Sequence, residues 1–167
     1  MHIFIDFDII NQENKIEDLI NRIEDYVEPV TLVLSSNGGD PFTATILLNY
    51  LNGRADKVTL IASDFVASAA FRLFQGFKGK RQIVDGTCGA VHERTINNLS
   101  IKGKLNNPSN KDVKFDIDRS EYFSDRAQVL YGSFLTKKEM SAFKKGEDVE
   151  LSFKRMMEIF PEAKIIE

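Results

Sequence analysis

The chain has no tryptophan, one cysteine and two histidines in 167 residues. A single cysteine, Cys88, excludes an internal disulfide and any zinc site built on thiolates, which fits a reducing compartment. It reads as a small buried residue rather than a nucleophile. No apolar run approaches the roughly 18 residues a membrane span needs, and no basic-then-apolar leader is present. Met1-His2-Ile3-Phe4-Ile5 leads straight into a strand-like segment. Charge of one sign is also lacking: a formal net charge of -3 makes no case for nucleic acid or an anionic membrane. These absences predict a cytoplasmic protein with no nucleic-acid or membrane partner, and no residue set calls for a metal or a cofactor.

What is present suits one folded domain. The chain is 43% hydrophobic and 28% charged, enough for one real core and too short for two comfortable ones. Thirteen phenylalanines leave more large apolar surface than a small monomer easily hides, so a homo-oligomer is expected.

The stretch from Thr31 to Glu93 organises the rest. Val30-Thr31-Leu32-Val33-Leu34 and Val58-Thr59-Leu60-Ile61 are apolar runs rich in β-branched residues, and each precedes a small-residue turn and a helical pattern. The turns are Ser35-Ser36-Asn37-Gly38-Gly39-Asp40 and Val66-Ala67-Ser68-Ala69-Ala70-Phe71. Strand, turn, helix, twice over, predicts an α/β fold with a mostly parallel sheet flanked by helices. A glycine pair at such a turn lets backbone approach a ligand and aims amide groups at it. Two turns at the carboxyl ends of neighbouring parallel strands frame the usual crevice for an active site.

The flanks read as follows. Ile3 to Phe7 is a short strand, and Asn14 with Glu17 forms a candidate capping box for a helix bearing Ile16, Leu19, Ile20, Ile23 and Val27 on one face. Its acidic residues Glu17, Asp18, Glu24 and Asp25 form a solvated face. Phe42 to Leu51 is apolar on nearly all sides, which predicts a helix that is central or covered by another subunit. A helix through Phe71, Leu73, Phe74 and Phe77 closes at Gly76 and Gly79, followed by strands at Ile83-Val84 and Ala90-Val91-His92. Ile96 to Phe115 is polar and reads as a hairpin or loop, and a helix from Asp118 or Ser120, with Phe123, Ala127 and Leu130, ends at Gly132. Residues 136–167 read as a small α/β unit: a capping box at Thr136 and Glu139, a short strand at Val149 to Leu151, and a helix capped by Ser152 with Phe153, Met156, Met157 and Phe160 as a core stripe.

The glycine turn, the helix start before Ala70-Phe71, the turn Gly76-Phe77-Lys78-Gly79-Lys80-Arg81, the strand ending in His92 and the later Phe134-Leu135-Thr136-Lys137-Lys138-Glu139 occur in one order. In that order they resemble the proteolytic subunit of the Clp protease, ClpP, in the crotonase-like superfamily. The resemblance is fullest over residues 30–93. It implies repeated ββα units in a single domain over residues 1–167, with a divergent handle region at about 93–132. It also implies a serine nucleophile at the helix start, a histidine base at His92 and an oxyanion site made by backbone amides of Gly38, Gly39 and Ser68.

Registering on Phe71 and the Gly79-Lys80-Arg81 turn puts the nucleophile position at Ala67, 25 residues before His92, and the acid position at Gly132. Registering forward from Gly38-Gly39 puts the nucleophile at Ser68 instead. The first register implies a degenerate peptidase homologue that acts in binding or assembly, since alanine cannot attack a carbonyl. The second implies an active serine endopeptidase or hydrolase using Ser68 and His92, with Asp125 or Asp148 as a non-family acid. His92 also suits a plain core role with a satisfied hydrogen bond. An acyl-thioester binder using the Gly39 and Ser68 amides ranks third. A peptide or protein ligand is compatible with both leading readings. The apparent lack of an extra amino-terminal segment and the short handle argue against docking to an unfoldase ring and against an unchanged double ring.

Overall fold

A computed structural model describes residues 1–9, 13–27, 29–92 and 127–167. The chain divides into two compact units, Met1–Val91 with Glu150–Glu167, and His92–Val149.

The first unit is built on a parallel sheet. The strands of the chain are β1 (His2–Ile5), β2 (Val30–Ser36), β3 (Val58–Ala67), β4 (Lys80–Val84) and β5 (Cys88–Val91), followed by β6 (Val149–Leu151) and β7 (Lys164–Ile166). The order is β1-β2-β3-β4-β7, with β5 pairing β3 and β6 pairing β5. The pairs β1–β2, β2–β3, β3–β4, β3–β5 and β4–β7 are all parallel. Alternation decides which side of β2 is inside: Val30, Leu32, Leu34 and Ser36 are buried and the residues between them are half-buried. Each leucine so buried stabilises the fold by about 1.5–3 kcal/mol.

Helices α1 (Glu13–Glu24), α2 (Pro41–Asn52) and α3 (Ser68–Gly76) follow β1, β2 and β3. Ile16, Leu19 and Ile23 face the core from α1, and Phe71, Leu73 and Phe74 are fully buried from α3. Asp40 caps α2, its Oδ2 accepting from Thr43 N at 2.8 Å and from Thr43 Oγ1 at 2.9 Å, and Pro41 opens the helix where no amide is needed.

β3 carries the main irregularity. Leu34 pairs Ala62 but Ser36 pairs Val66, so β3 uses four residues where β2 uses two. Asp64 sits in this bulge at φ +53°. The bulge also divides β3 between two neighbours: Thr59 to Ala62 pair β4, and Phe65 to Ala67 pair β5.

The carboxyl end completes the same unit. Phe160 follows α5 (Phe153–Ile159) and packs on Phe71 at 5.6 Å and edge-on to Phe74 at 5.1 Å between centroids. Arg81 on β4 donates to the carbonyls of Phe74 at 3.3 Å and Gln75 at 2.9 Å, pairs with Glu162, and lies 5.2 Å from the Phe160 ring.

In the second unit, residues 127–132 are helical and precede α4 (Lys137–Lys144). Thr136 and Glu139 form the expected capping box. Tyr131 meets Phe143 edge-on at 5.3 Å and Phe134 at 5.7 Å.

Several sequence expectations change. Val27 is not on the α1 face, because the helix ends at Glu24 and Val27 is 93% exposed. Asn14 lies inside α1 rather than at its cap. α2 is not central within the chain: Ala44, Leu47 and Leu51 are buried, while Phe42 and Ile46 are about half exposed, which leaves the alternative of a helix covered by another subunit. Cys88 is exposed rather than buried, because it is the first residue of β5, at the open end of a strand whose remaining residues Gly89, Ala90 and Val91 are buried. Lys164-Ile165-Ile166 forms β7 without a clear strand signal in its sequence. Ile96 to Phe115, Asp118, Ser120, Phe123 and Asp125 lie outside the described residues.

Candidate functional site

The site candidate lies where β2 and β3 end side by side. β2 delivers the glycine turn and β3 delivers the start of α3, and the register Ser36↔Val66 aligns the two. Gly38 and Gly39 have φ of +102° and +135°, conformations that a residue with a Cβ avoids. The turn is packed hard against the α3 entrance. A Cβ on Gly38 would stand 2.6 Å from Ala67 O, 2.7 Å from Ser68 Cβ and 2.8 Å from Ala69 N.

Two further contacts hold the turn. Ile9 bridges Gly39: Ile9 N donates to Gly38 O and Asp40 N donates to Ile9 O, each at 2.5 Å. Ser36, buried at the end of β2, accepts from Gly38 N at 3.1 Å and donates to Phe7 O at 2.8 Å. Among the described residues, the Gly39 N–H has no hydrogen-bond partner.

On the β3 side, Ala67 and Ser68 differ sharply. Ala67 is the extended N-cap of α3 (φ -129°, ψ 160°), buried, and offers no side chain to the first-turn amides. Ser68, the first residue of α3, is half-buried with φ +53°. A serine at positive φ between a strand and a helix is sparsely populated backbone, which persists only where surrounding packing imposes it. The uncapped helix start adds a positive dipole end beside the glycine turn. Chemically, the pair of turns can hold a polarised oxygen against backbone amides and present one hydroxyl beside it.

The structure thus brings Gly38 close to Ala67 and Ser68. His92 follows β5 directly in the chain, is half-buried, and belongs to the second unit. Gly132 and Asp148 are exposed in that unit, and a Cβ on Gly132 would meet only Met140 Cε, at 3.7 Å. No cluster of three side chains suited to a metal occurs among the described residues, and none of their helices is long and apolar enough to cross a membrane. Sequence reasoning missed the grip of Ser36 and Ile9 on the turn. The one legible signal was a serine set in an otherwise apolar inward row.

No family model matches the chain, and no curated protein matches it. Among solved structures it is similar to a mutant of ClpP1 from Listeria monocytogenes, with a TM-score of 0.64 and 17% identity, over 99% of this chain and 91% of that one. The fold is ClpP-like. At this identity the likeness speaks for backbone arrangement, which here means a mostly parallel sheet flanked by helices. Within that ClpP-like frame the glycine turn and the α3 entrance occupy the carboxyl ends of adjacent parallel strands, as their sequences predict.

Proposed function

We propose that this chain is a ClpP-like serine hydrolase homologue whose cleft binds a peptide or acyl carbonyl, with Ser68 as the attacking residue. The observation that carries the reading is the positive φ of Ser68 at a strand-to-helix turn, the backbone device that lifts a nucleophilic hydroxyl clear of its sheet. In this reading the Ser68 hydroxyl attacks the carbonyl, and His92 takes its proton and returns it to the leaving group. The Gly39 N–H and the Ala69 N–H, the amide after the nucleophile, receive the developing oxyanion.

A second reading keeps the cleft without the chemistry. It is favoured by Gly132, which supplies no carboxylate at the position the resemblance assigns to the acid, and by the Ala67 methyl at the other register. The protein is then a binding or assembly factor that retains Gly38, Gly39 and the Ser68 amide.

A fluorophosphonate probe separates the two. Labelling of the full chain that disappears in Ser68→Ala supports the first reading, and silence from folded protein supports the second.

As a wider assignment, the chain works as one ClpP-like domain in a cytoplasmic homo-oligomer. The half-exposed Phe42 and Ile46 of α2 support self-association. Light scattering that returns a monomer mass at micromolar concentration would remove it.

A further inference from the structure

Ser36 is one of two buried polar residues among those described, the other being Thr87. Its hydroxyl uses both hydrogen-bonding roles, and both partners are backbone. It donates to Phe7 O at 2.8 Å, 29 residues away, and accepts from Gly38 N at 3.1 Å. Gly38 is held at its other end by Ile9 N on Gly38 O. The residue between Gly38 and the Asp40–Ile9 bond is Gly39, whose N–H lies outside the bridge. Gly38 therefore has its amide, its carbonyl and its α-carbon face all in contact: Ser36, Ile9, and the Ala67–Ala69 entrance of α3.

We infer that Ser36 is a positioning residue: through Gly38 it aims the Gly39 N–H at the oxygen beside Ser68, with the Phe7–Ile9 connection as the opposing jaw. The inference rests on the cleft reading above. Two glycines in succession are free to rotate, so an unclamped turn would spend little time with its amide aligned. An apolar side chain in place of Ser36 would fill the space and leave Gly38 N–H and Phe7 O unbonded in a buried setting. An oxyanion donor acts only when held in place before the charge develops.

The test compares the wild-type chain with Ser36→Ala and Ser36→Thr. Three quantities are read: amide exchange of Gly38 and Gly39 by NMR, the rate of fluorophosphonate labelling, and the thermal midpoint. At temperatures where every variant is fully folded, Ser36→Ala should speed Gly38 exchange and slow labelling, each by about tenfold. Ser36→Thr, which keeps the hydroxyl, should return both toward wild type. A role in stability alone would shift the midpoint and leave the labelling rate of folded protein unmoved, and that result would overturn the inference. So would unchanged exchange at Gly38 in Ser36→Ala. Should the wild type not label, the hydrolase reading has failed, and the exchange comparison still decides the clamp. If Ser36→Ala does not fold, Ser36→Cys keeps the volume, weakens both bonds and serves in its place, with the same expected directions.

Discussion

Gly38 lies so close to Ser68 that a Cβ on the glycine would stand 2.7 Å from the Cβ of the serine. The glycine turn and the α3 entrance are thus packed backbone to backbone, and the contact is possible only because one partner has no side chain.

Gly38→Ala should cost about 2–4 kcal/mol, combining strain at φ +102° with overlap against Ala67 O, which is backbone and cannot swing aside. Urea denaturation measures it. Gly86→Ala, at φ +82° with open space around it, should cost only the backbone strain, about 1–2 kcal/mol. Equal costs at the two positions would contradict the close packing described for Gly38.

Arg81 joins the last turn of α3 to the aromatic cluster below α5. Arg81→Met keeps much of the apolar stem but loses the bonds to Phe74 O and Gln75 O and the contact with the Phe160 ring. The expected loss is about 2 kcal/mol, seen as a lower urea midpoint at unchanged slope. Glu162→Gln should change stability by less than about 1 kcal/mol, because that carboxylate is more than half exposed. Arg81→Lys should recover little, since an ammonium cannot form the planar fork or stack on the ring.

Gly132→Asp tests the acid position directly. The site is exposed and a Cβ meets only the flexible end of Met140, so stability should stay within about 1 kcal/mol of wild type. If Ser68 and His92 form the reactive pair, a carboxylate there should raise fluorophosphonate labelling by about tenfold or more, by holding the imidazole tautomer and its charged form. Labelling that stays flat in a folded variant would place the missing acid elsewhere, and no labelling in either protein would favour the binding factor.

Tyr50 gives a pH prediction. Burial raises its pKa, the nearby Arg54 opposes the rise, and Glu24, which accepts from the hydroxyl at 3.5 Å, adds to it. The folded protein therefore holds the phenol protonated above the pH at which the unfolded chain ionises, about 10. The stabilisation is fully present below that pH and is lost as pH rises through the folded value. Absorbance titration of the phenolate band should show Tyr50 ionising later than a free phenol, and Tyr50→Phe should remove that late component. In Glu24→Gln the late component should move toward lower pH.

The central strands and the two carboxyl-terminal helix starts were readable because their causes are local. β-branched runs specify β2 and β3, and the Thr136–Glu139 and Ser152 caps are formed by residues three positions apart. The glycine turn was readable for the same reason, since its conformation excludes other residues. Val27 and Cys88 were misread because burial depends on what the rest of the chain brings up, not on residue type. The bulge at Asp64 was hidden because nothing in Ser63-Asp64-Phe65 says that β3 must serve two different neighbours.

Local chemistry alone settled that two strand-to-helix turns exist, and that one of them is made of glycine. Tertiary contact decided which residue of the other turn is lifted into strained backbone: Ser68, with Ala67 buried beside it. A one-residue difference in register leaves composition and periodicity untouched, whereas packing against Gly38 treats the two neighbouring positions differently.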